Sequence, residues 1–397
     1  MKRSFDEIVL FARTGLNPRT NFKLGQGTNK YITIKNIHNN TLVVDDNTDI
    51  IDDAALRTIH KRSQIKKGDI LFCSIGRIGD IYIIEDEPVG WDINESVFAF
   101  TLDTAIIRQK YFYYIFKNHD TIEYLTKNSS GSTFKSIKMN QLKKMVFDLP
   151  SLQKQDRIVS VLDSTARIID ARKSELSTLD DLIKARYVEM FGDPESNPHN
   201  WPKGIISEVV KGKASNGFFA KRDDYTEDGN VAVLGVANVV NRMYSQVDDL
   251  PRTNATPSEI MKYSVSYGDM LFCRSSLVAV GIGKASIVPE NTPENTLFEC
   301  HVIRLPLDLN KCVPEYMQTL STMDYFRNQI IAQSKTATMT TIGQDGILKT
   351  TIILPPIEKQ KDFLGFIRQI NKSKAVVQKA LDEAQLLFDS LMQKYFG

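Results

Sequence analysis

Leu149-Pro150-Ser151-Leu152-Gln153-Lys154-Gln155 recurs as Leu354-Pro355-Pro356-Ile357-Glu358-Lys359-Gln360, 205 positions later. The same offset pairs Tyr111 with Tyr316, Thr133 with Thr338, Ile137 with Ile342 and Phe191-Gly192 with Phe396-Gly397, with no gap from Tyr111 to Gly192. Upstream the offset shortens. Gly68-Asp69-Ile70-Leu71-Phe72-Cys73 aligns with Gly268-Asp269-Met270-Leu271-Phe272-Cys273 at 200, and Ile34-Lys35-Asn36-Ile37 with Val236-Ala237-Asn238-Val239 at 202. Motifs that keep their order while their offsets drift are what a duplicated domain with variable loops leaves behind.

Leu149-Pro150 and Leu354-Pro355-Pro356 each lead into a segment of about 40 residues without proline. In the first, Ile158, Leu162, Thr165, Ile169, Arg172, Leu176, Leu179, Ile183, Arg186 and Met190 step by three and four. In the second, Phe363, Ile367, Ile370, Lys374, Val377, Leu381, Ala384, Phe388, Leu391 and Tyr395 keep the same register. This spacing predicts two long amphipathic helices with heptad-like stripes. Proline holds its predecessor extended at each entry, and Gly192 and Gly397 stand where a helix stops. A helix of that length spans about 60 Å, and alone it leaves its stripe in water. The natural partner is the duplicate, packed antiparallel through Ile169, Leu176, Leu179 and Ile183 against Ile370, Val377, Leu381 and Phe388.

Before each helix, short β-like runs alternate with polar turns. Tyr31–Ile34, Ile70–Cys73, Ile81–Ile84 and Val97–Phe100 are matched by Val231–Leu234, Met270–Cys273, Ala285–Val288 and Val302–Leu305. A helical stretch follows near 110–125 and again near 314–331. The expected class is α+β, with two β-rich domains in tandem, a long helix after each, and pseudo-twofold symmetry from the antiparallel coiled coil. The expected division is a first domain over 1–150, a helix over 151–192, a linker and second domain over 193–354, and a helix over 355–397. Asp193 to Pro202 is rich in turn formers and makes the linker.

Composition narrows the class less. The chain has 397 residues, 42% hydrophobic and 25% charged, enough for sizeable cores. Lys+Arg is 50 against Asp+Glu 48, so any anion-binding surface depends on where the charges sit. No apolar run approaches the ~18 residues of a membrane span, and the polar Met1 end does not read as a secretory signal. Cys73 and Cys273 sit in apolar runs, as buried thiols do, and no C-x-x-C pair occurs among the four cysteines. A reducing cytoplasm fits.

The order of these motifs resembles a known family. A variable domain with Gly-Asp-Ile-Leu-Phe (Gly-Asp-Met-Leu-Phe in the second copy), a Ser/Thr-rich turn, Leu-Pro-x-x-x-Lys-Gln and a long helix ending in Phe-Gly, the whole unit given twice, is similar to the specificity subunit of type I restriction–modification systems. Both copies carry Lys-Gln (Lys154-Gln155, Lys359-Gln360) where Glu-Gln is commoner in the family. The resemblance implies that each domain reads one half of a bipartite double-stranded DNA site. It implies that the helices set the spacing and dock two methyltransferase subunits, and that a translocating nuclease subunit is a further partner. S-adenosylmethionine would belong to the methyltransferase subunits, and this chain would hold no cofactor or metal of its own and do no chemistry.

Motifs for catalysis are missing. Gly281-Ile282-Gly283-Lys284 is followed by Ala285 and lacks the spacing of a phosphate-binding loop. No Asn-Pro-Pro-Tyr or Asp-Pro-Pro-Tyr occurs, and the five histidines (38, 60, 119, 199 and 301) have no metal-ligand spacing. Asp52-Asp53 and Glu85-Asp86-Glu87 read as solvated turns.

Affinity for DNA comes from cations on phosphates, and sequence choice from side chains that reach base edges. Loops between the repeated elements therefore supply the candidates. They are Ser74 and Arg77 after the central strand, with Arg274, Ser275, Ser276 and Lys284 as counterparts. Ser132, Thr133 and Lys135 correspond to Lys335, Thr338 and Thr340, and Lys35 and Asn36 to Asn238. Three other readings stay open: a coiled-coil scaffold whose ends bind protein or glycan, a specificity subunit of another methyltransferase–nuclease complex, and a nuclease with an unfamiliar site.

Overall fold

The structure, a computed structural model, describes every residue except 39–40, 132–133 and 337. It divides into two compact units. One joins Met1–Lys173 to Lys379–Gly397, and the other is Ser174–Gln378.

The first unit is built on a four-stranded antiparallel sheet in the order Val9–Thr14, Val97–Leu102, Ile70–Cys73, Ile81–Ile83. Beside it, Asn29–Ile32 pairs antiparallel with Ile50–Ile51 and parallel with Trp91–Ile93. The second unit repeats this plan. Its sheet runs Ser215–Asn216, Val302–Leu305, Met270–Cys273, Ala285–Ile287. Val231–Leu234 lies between antiparallel Arg252–Thr253 and parallel Leu297–Phe298. Ile70–Cys73 and Met270–Cys273 are buried throughout. That explains why they read as unbroken apolar runs instead of alternating ones.

The Gly-Asp before each central strand is a turn device. Gly68 and Gly268 adopt φ of 85° and 84°, which a side chain resists. Asp69 accepts the Lys66 N–H at 3.1 Å, and Asp269 the Ser266 N–H at 2.9 Å. Their arginines come from different strands. Arg13 Nη2 lies 2.8 Å from Asp69, while Arg304 Nη1 is 3.8 Å from Asp269. Burial pushes the Asp269 carboxyl up to about 6, against the Ser266 N–H and Arg304, which pull it down.

The α+β expectation holds, with refinements. Each expected helical stretch is two helices: Gln109–Ile115 with His119–Lys127, and Pro314–Ser321 with Asp324–Gln333. Extended residues at the second helix starts, Asn118 and Met323, make the break. Helices at Asp53–Ser63 and Pro257–Tyr263 were not read from the pattern. Asp52, read as a solvated turn, is an N-cap whose carboxylate accepts the Ala55 N–H at 2.8 Å.

The long helices are Leu152–Phe191 and Ile357–Phe396, 40 residues each. Both cross the division between the units. In the first unit, Ile158 and Leu162 share a core with Phe388, Leu391 and Met392. In the second, Ile183, Tyr187 and Phe191 share one with Phe363, Ile367 and Ile370. Within each unit the start of one helix thus lies with the end of the other, an antiparallel arrangement. Of the expected packing positions, Ile169, Ile183, Ile370 and Val377 are buried, and Leu176, Leu179, Leu381 and Phe388 are half-buried. Lys374 adds an ion pair to Asp180 at 2.7 Å. Among the described residues, no helix is long and apolar enough to cross a membrane.

The repeated Leu-Pro-x-x-x-Lys-Gln has a physical role. Gln155 is buried; its Oε1 accepts the Arg108 N–H at 2.9 Å and its Nε2 donates to the carbonyls of Ile106 and Pro150, each at 3.0 Å. Gln360 likewise accepts the Val313 N–H at 2.9 Å and donates to the Pro355 carbonyl at 2.8 Å. Arg108 and Val313 are the N-caps of Gln109–Ile115 and Pro314–Ser321. One glutamine therefore ties the long helix to the domain helix in each copy and satisfies a buried amide while doing so.

Candidate nucleic-acid interface

The candidate loops lie more than fifty residues apart in sequence, and each unit brings its own pair together. In the first unit, Ile75 bridges Ser136, and Ser136 also bridges Ser130. The Gly76 N–H donates to Lys135 O at 3.0 Å, and the Ile137 N–H to Ser74 O at 2.9 Å. In the second unit the same junction is a three-stranded ribbon. Ser275–Ser276 pairs with Thr340–Thr341, which pairs with Lys335–Thr336. The Ile342 N–H donates to Arg274 O at 3.1 Å, repeating the Ile137–Ser74 bond.

The third candidate loop joins the first unit's cluster through Arg77. Its Nη2 donates to Ile34 O at 2.9 Å, its Nη1 meets the His38 ring, and its Nε stands 3.9 Å from Asp80 Oδ2. Lys35 and Lys135 are exposed beside it. Ser132 and Thr133 lie outside the described residues.

Asn36 and Asn238 close their own loops. Asn36 is only 8% exposed, and its Oδ1 accepts the Thr33 N–H at 2.9 Å. Asn238 Oδ1 accepts the Gly235 N–H at 3.0 Å. Ser74 is also turned inward, donating to Ser96 O at 2.7 Å, and Thr340 is buried against the Thr336 hydroxyl at 3.1 Å. These four side chains position the loops, because their polar atoms are already bonded inside the fold.

In the second unit, Ser275, Ser276, Lys284, His301 and Met339 line a cleft of about 440 Å³. Ser275 Oγ is 3.2 Å from His301 Nδ1, and Lys284 Nζ donates to Asn241 Oδ1 at 2.6 Å. Arg274 Nη1 donates to Cys300 O at 3.3 Å. Lys335 and Thr338 are exposed on the ribbon.

Sequence reasoning missed His38, His301 and the run Leu277-Val278-Ala279-Val280. A signal for the last was present. Backbone bonds equate Gly79→Cys73 with Gly283→Cys273, so the offset grows from 200 at the strand to 204 after the loop. The second copy carries four extra residues there.

Comparison with known proteins agrees with the repeated plan. Residues 1–179 match the type I restriction modification DNA specificity domain. The chain is 22% identical over 302 residues to the EcoKI type I restriction enzyme specificity subunit of Escherichia coli K12, covering 69% of this chain and 62% of that one. It is 24% identical over 296 residues to the StySPI specificity subunit of Salmonella potsdam, again over 69% and 62%. The matches therefore span about three fifths of those relatives' length. Among solved structures, the S subunit of an M. genitalium type I restriction–modification system shares the fold with a TM-score of 0.53 at 14% identity, over 100% of this chain and 96% of that one. A structure of type I system assembly and conformational transition gives 0.52 at 15%, over 100% and 97%.

Proposed function

Residues 1–179 match the type I restriction modification DNA specificity domain, and we propose that this chain is the DNA sequence-specificity subunit of a type I restriction–modification complex. Each unit reads one half of a bipartite double-stranded site. The paired helices hold the half-sites at a set spacing and dock two methyltransferase subunits, and a translocating nuclease subunit joins that assembly. Sequence choice resides here, and chemistry, with S-adenosylmethionine, resides in the partners.

The observation that carries this reading is the duplicated loop junction. Two loops distant in sequence meet at the end of the same buried strand in both units, through the same backbone bond, Ile137 to Ser74 and Ile342 to Arg274. Around each junction stand cations and hydroxyls, Lys35, Arg77 and Lys135 in one, Arg274, Ser275, Ser276, Lys284 and Lys335 in the other. Cations neutralise phosphates while short polar groups address base edges. A duplicated reader suits a target in two parts.

The test is binding by the chain assembled with its methyltransferase subunits. A random duplex library carried through rounds of selection is expected to converge on a split sequence. Arg77→Ala is expected to weaken binding to it by about 1–3 kcal/mol and to relax one position if Arg77 touches a base, or to lower the salt slope by about one if it touches phosphate. Unchanged affinity and slope would remove Arg77 from the interface. A library that never converges would remove the specificity function itself and favour a scaffold.

A further inference from the structure

The four residues present only in the second copy form an exposed apolar tip. Leu277, Val278 and Val280 are 83%, 58% and 66% exposed. Single exposed apolar residues are ordinary, but three within four positions make a patch that marks a contact. The tip is held in shape. The Gly281 N–H donates to Val278 O at 3.0 Å and the Ile282 N–H to Ala279 O at 3.2 Å. Arg327 Nη2 reaches across to Val280 O at 3.2 Å and Ile282 O at 2.6 Å. Ile282 is fully buried and anchors the turn. A Cβ on Gly281 would fall 2.2 Å from Ser276 Oγ, so glycine lets the turn fold back on the ribbon without turning that hydroxyl aside.

What surrounds the tip decides its partner. Ser275–Ser276 precede it directly, and Leu277 lines the same cleft as Lys284, His301 and Met339. Arg274 and Lys335 flank the ribbon, and among the described residues Glu299 is the one carboxylate lining that cleft. A cationic, hydroxyl-rich rim around an apolar centre is complementary to a nucleic acid. A major groove about 12 Å wide admits a β-ribbon, and the apolar group it displays on a base edge is the thymine C5-methyl.

On the reading that the second ribbon faces DNA, we propose that Leu277, Val278 and Val280 read thymine methyl groups in the major groove of the second half-site. The first unit, which lacks the insertion and carries Arg77 there instead, reads its half-site by hydrogen bonds.

The experiment uses the full chain assembled with its methyltransferase subunits and the random duplex library. The selected second half-site is expected to contain thymine. Replacing thymidine by deoxyuridine in that half keeps the hydrogen-bonding edge and removes the methyl. It is expected to weaken binding about fourfold per thymine contacted, the worth of one buried methyl group, and to have a smaller effect in the first half. The triple variant Leu277→Ser, Val278→Ser, Val280→Ser changes only exposed side chains. It is expected to bind thymidine and deoxyuridine duplexes equally. Wild-type binding indifferent to deoxyuridine, or a triple variant still sensitive to it, overturns the proposal while leaving DNA specificity intact. So does a triple variant that selects the same sequence but no longer holds methyltransferase, which makes the tip a protein contact. Failure of the wild type to select any sequence overturns both this proposal and the function it rests on.

Discussion

The two units are the same object solved twice, and they differ where a solution was free to vary. The glutamine that ties the long helix to the domain helix is common to both, as is the asparagine that closes the loop at 33–36 and 235–238. The arginine facing the turn aspartate is not, since it comes from Val9–Thr14 in one and Val302–Leu305 in the other. The ion pair of Lys110 with Asp163 at 2.8 Å also has no direct copy, because the equivalent positions are Glu315 and Arg368, with charges exchanged. Groups that define the frame keep their identity, and groups that only need a partner keep the need and change the partner. The loops that meet at the end of the central strand go furthest, differing in length and in polarity.

The sharpest contrast is aromatic. In the second unit Tyr316 is fully buried, stacks 5.2 Å from Tyr187, lies 5.0 Å from Phe191 and donates to Ile353 O at 2.9 Å. In the first, Tyr111 meets Phe396 at 5.1 Å. Tyr316→Ala is expected to cost about 3–5 kcal/mol in the second unit, in the range of large aromatic truncations, and Tyr111→Ala less in the first. Urea unfolding followed by hydrogen exchange in each unit measures both, and equal losses would break the contrast. Gln155→Ala and Gln360→Ala test the likeness. Gln155→Ala strands one N–H and two carbonyls, and Gln360→Ala one N–H and one carbonyl, so each is expected to cost about 1–3 kcal/mol. A twofold or greater disparity between them would show that the bracket is not equivalent in the two copies.

The smallest effect concerns pH. Asp269 has a carboxyl raised from 3.8 to about 6, so the folded second unit keeps a proton that the unfolded chain releases. That contribution to stability is fully present below about 4 and is lost as the pH rises through about 6. Asp269→Asn is expected to flatten the stability profile of the second unit between those values. A variant whose melting temperature keeps the wild-type pH slope there would place the titration elsewhere.

Much of this frame was legible in the residues. Helix stripes and buried strands leave periodic, apolar signatures, and the offset of 205 carried over without a gap into two helices of equal length. Of the strand readings, Ile70–Cys73, Met270–Cys273, Val231–Leu234 and Val302–Leu305 coincide with the observed elements. The candidate site was legible only as separate loops. Nothing local tells Ser74 that it bonds Ser96, or Asn36 that its amide is needed by Thr33. A polar side chain in a loop reads the same whether it faces water or closes a turn. The apolar tip escaped for the opposite reason, because apolar residues in a run suggest burial until their surroundings are known.

The ends of the long helices set an order on how the protein comes into being. Phe191 reaches the second unit's core and meets Tyr316 edge to face, while Phe396 lies tilted against Tyr111 in the first. The first unit takes residues 379–397 into its own structure. During synthesis residues 1–173 leave the ribosome long before the segment that completes them. Domains ordinarily fold from the N-terminus as they emerge, but this one has to wait, with the groove that receives Phe388, Leu391 and Met392 open to the cell until the last helix has been translated.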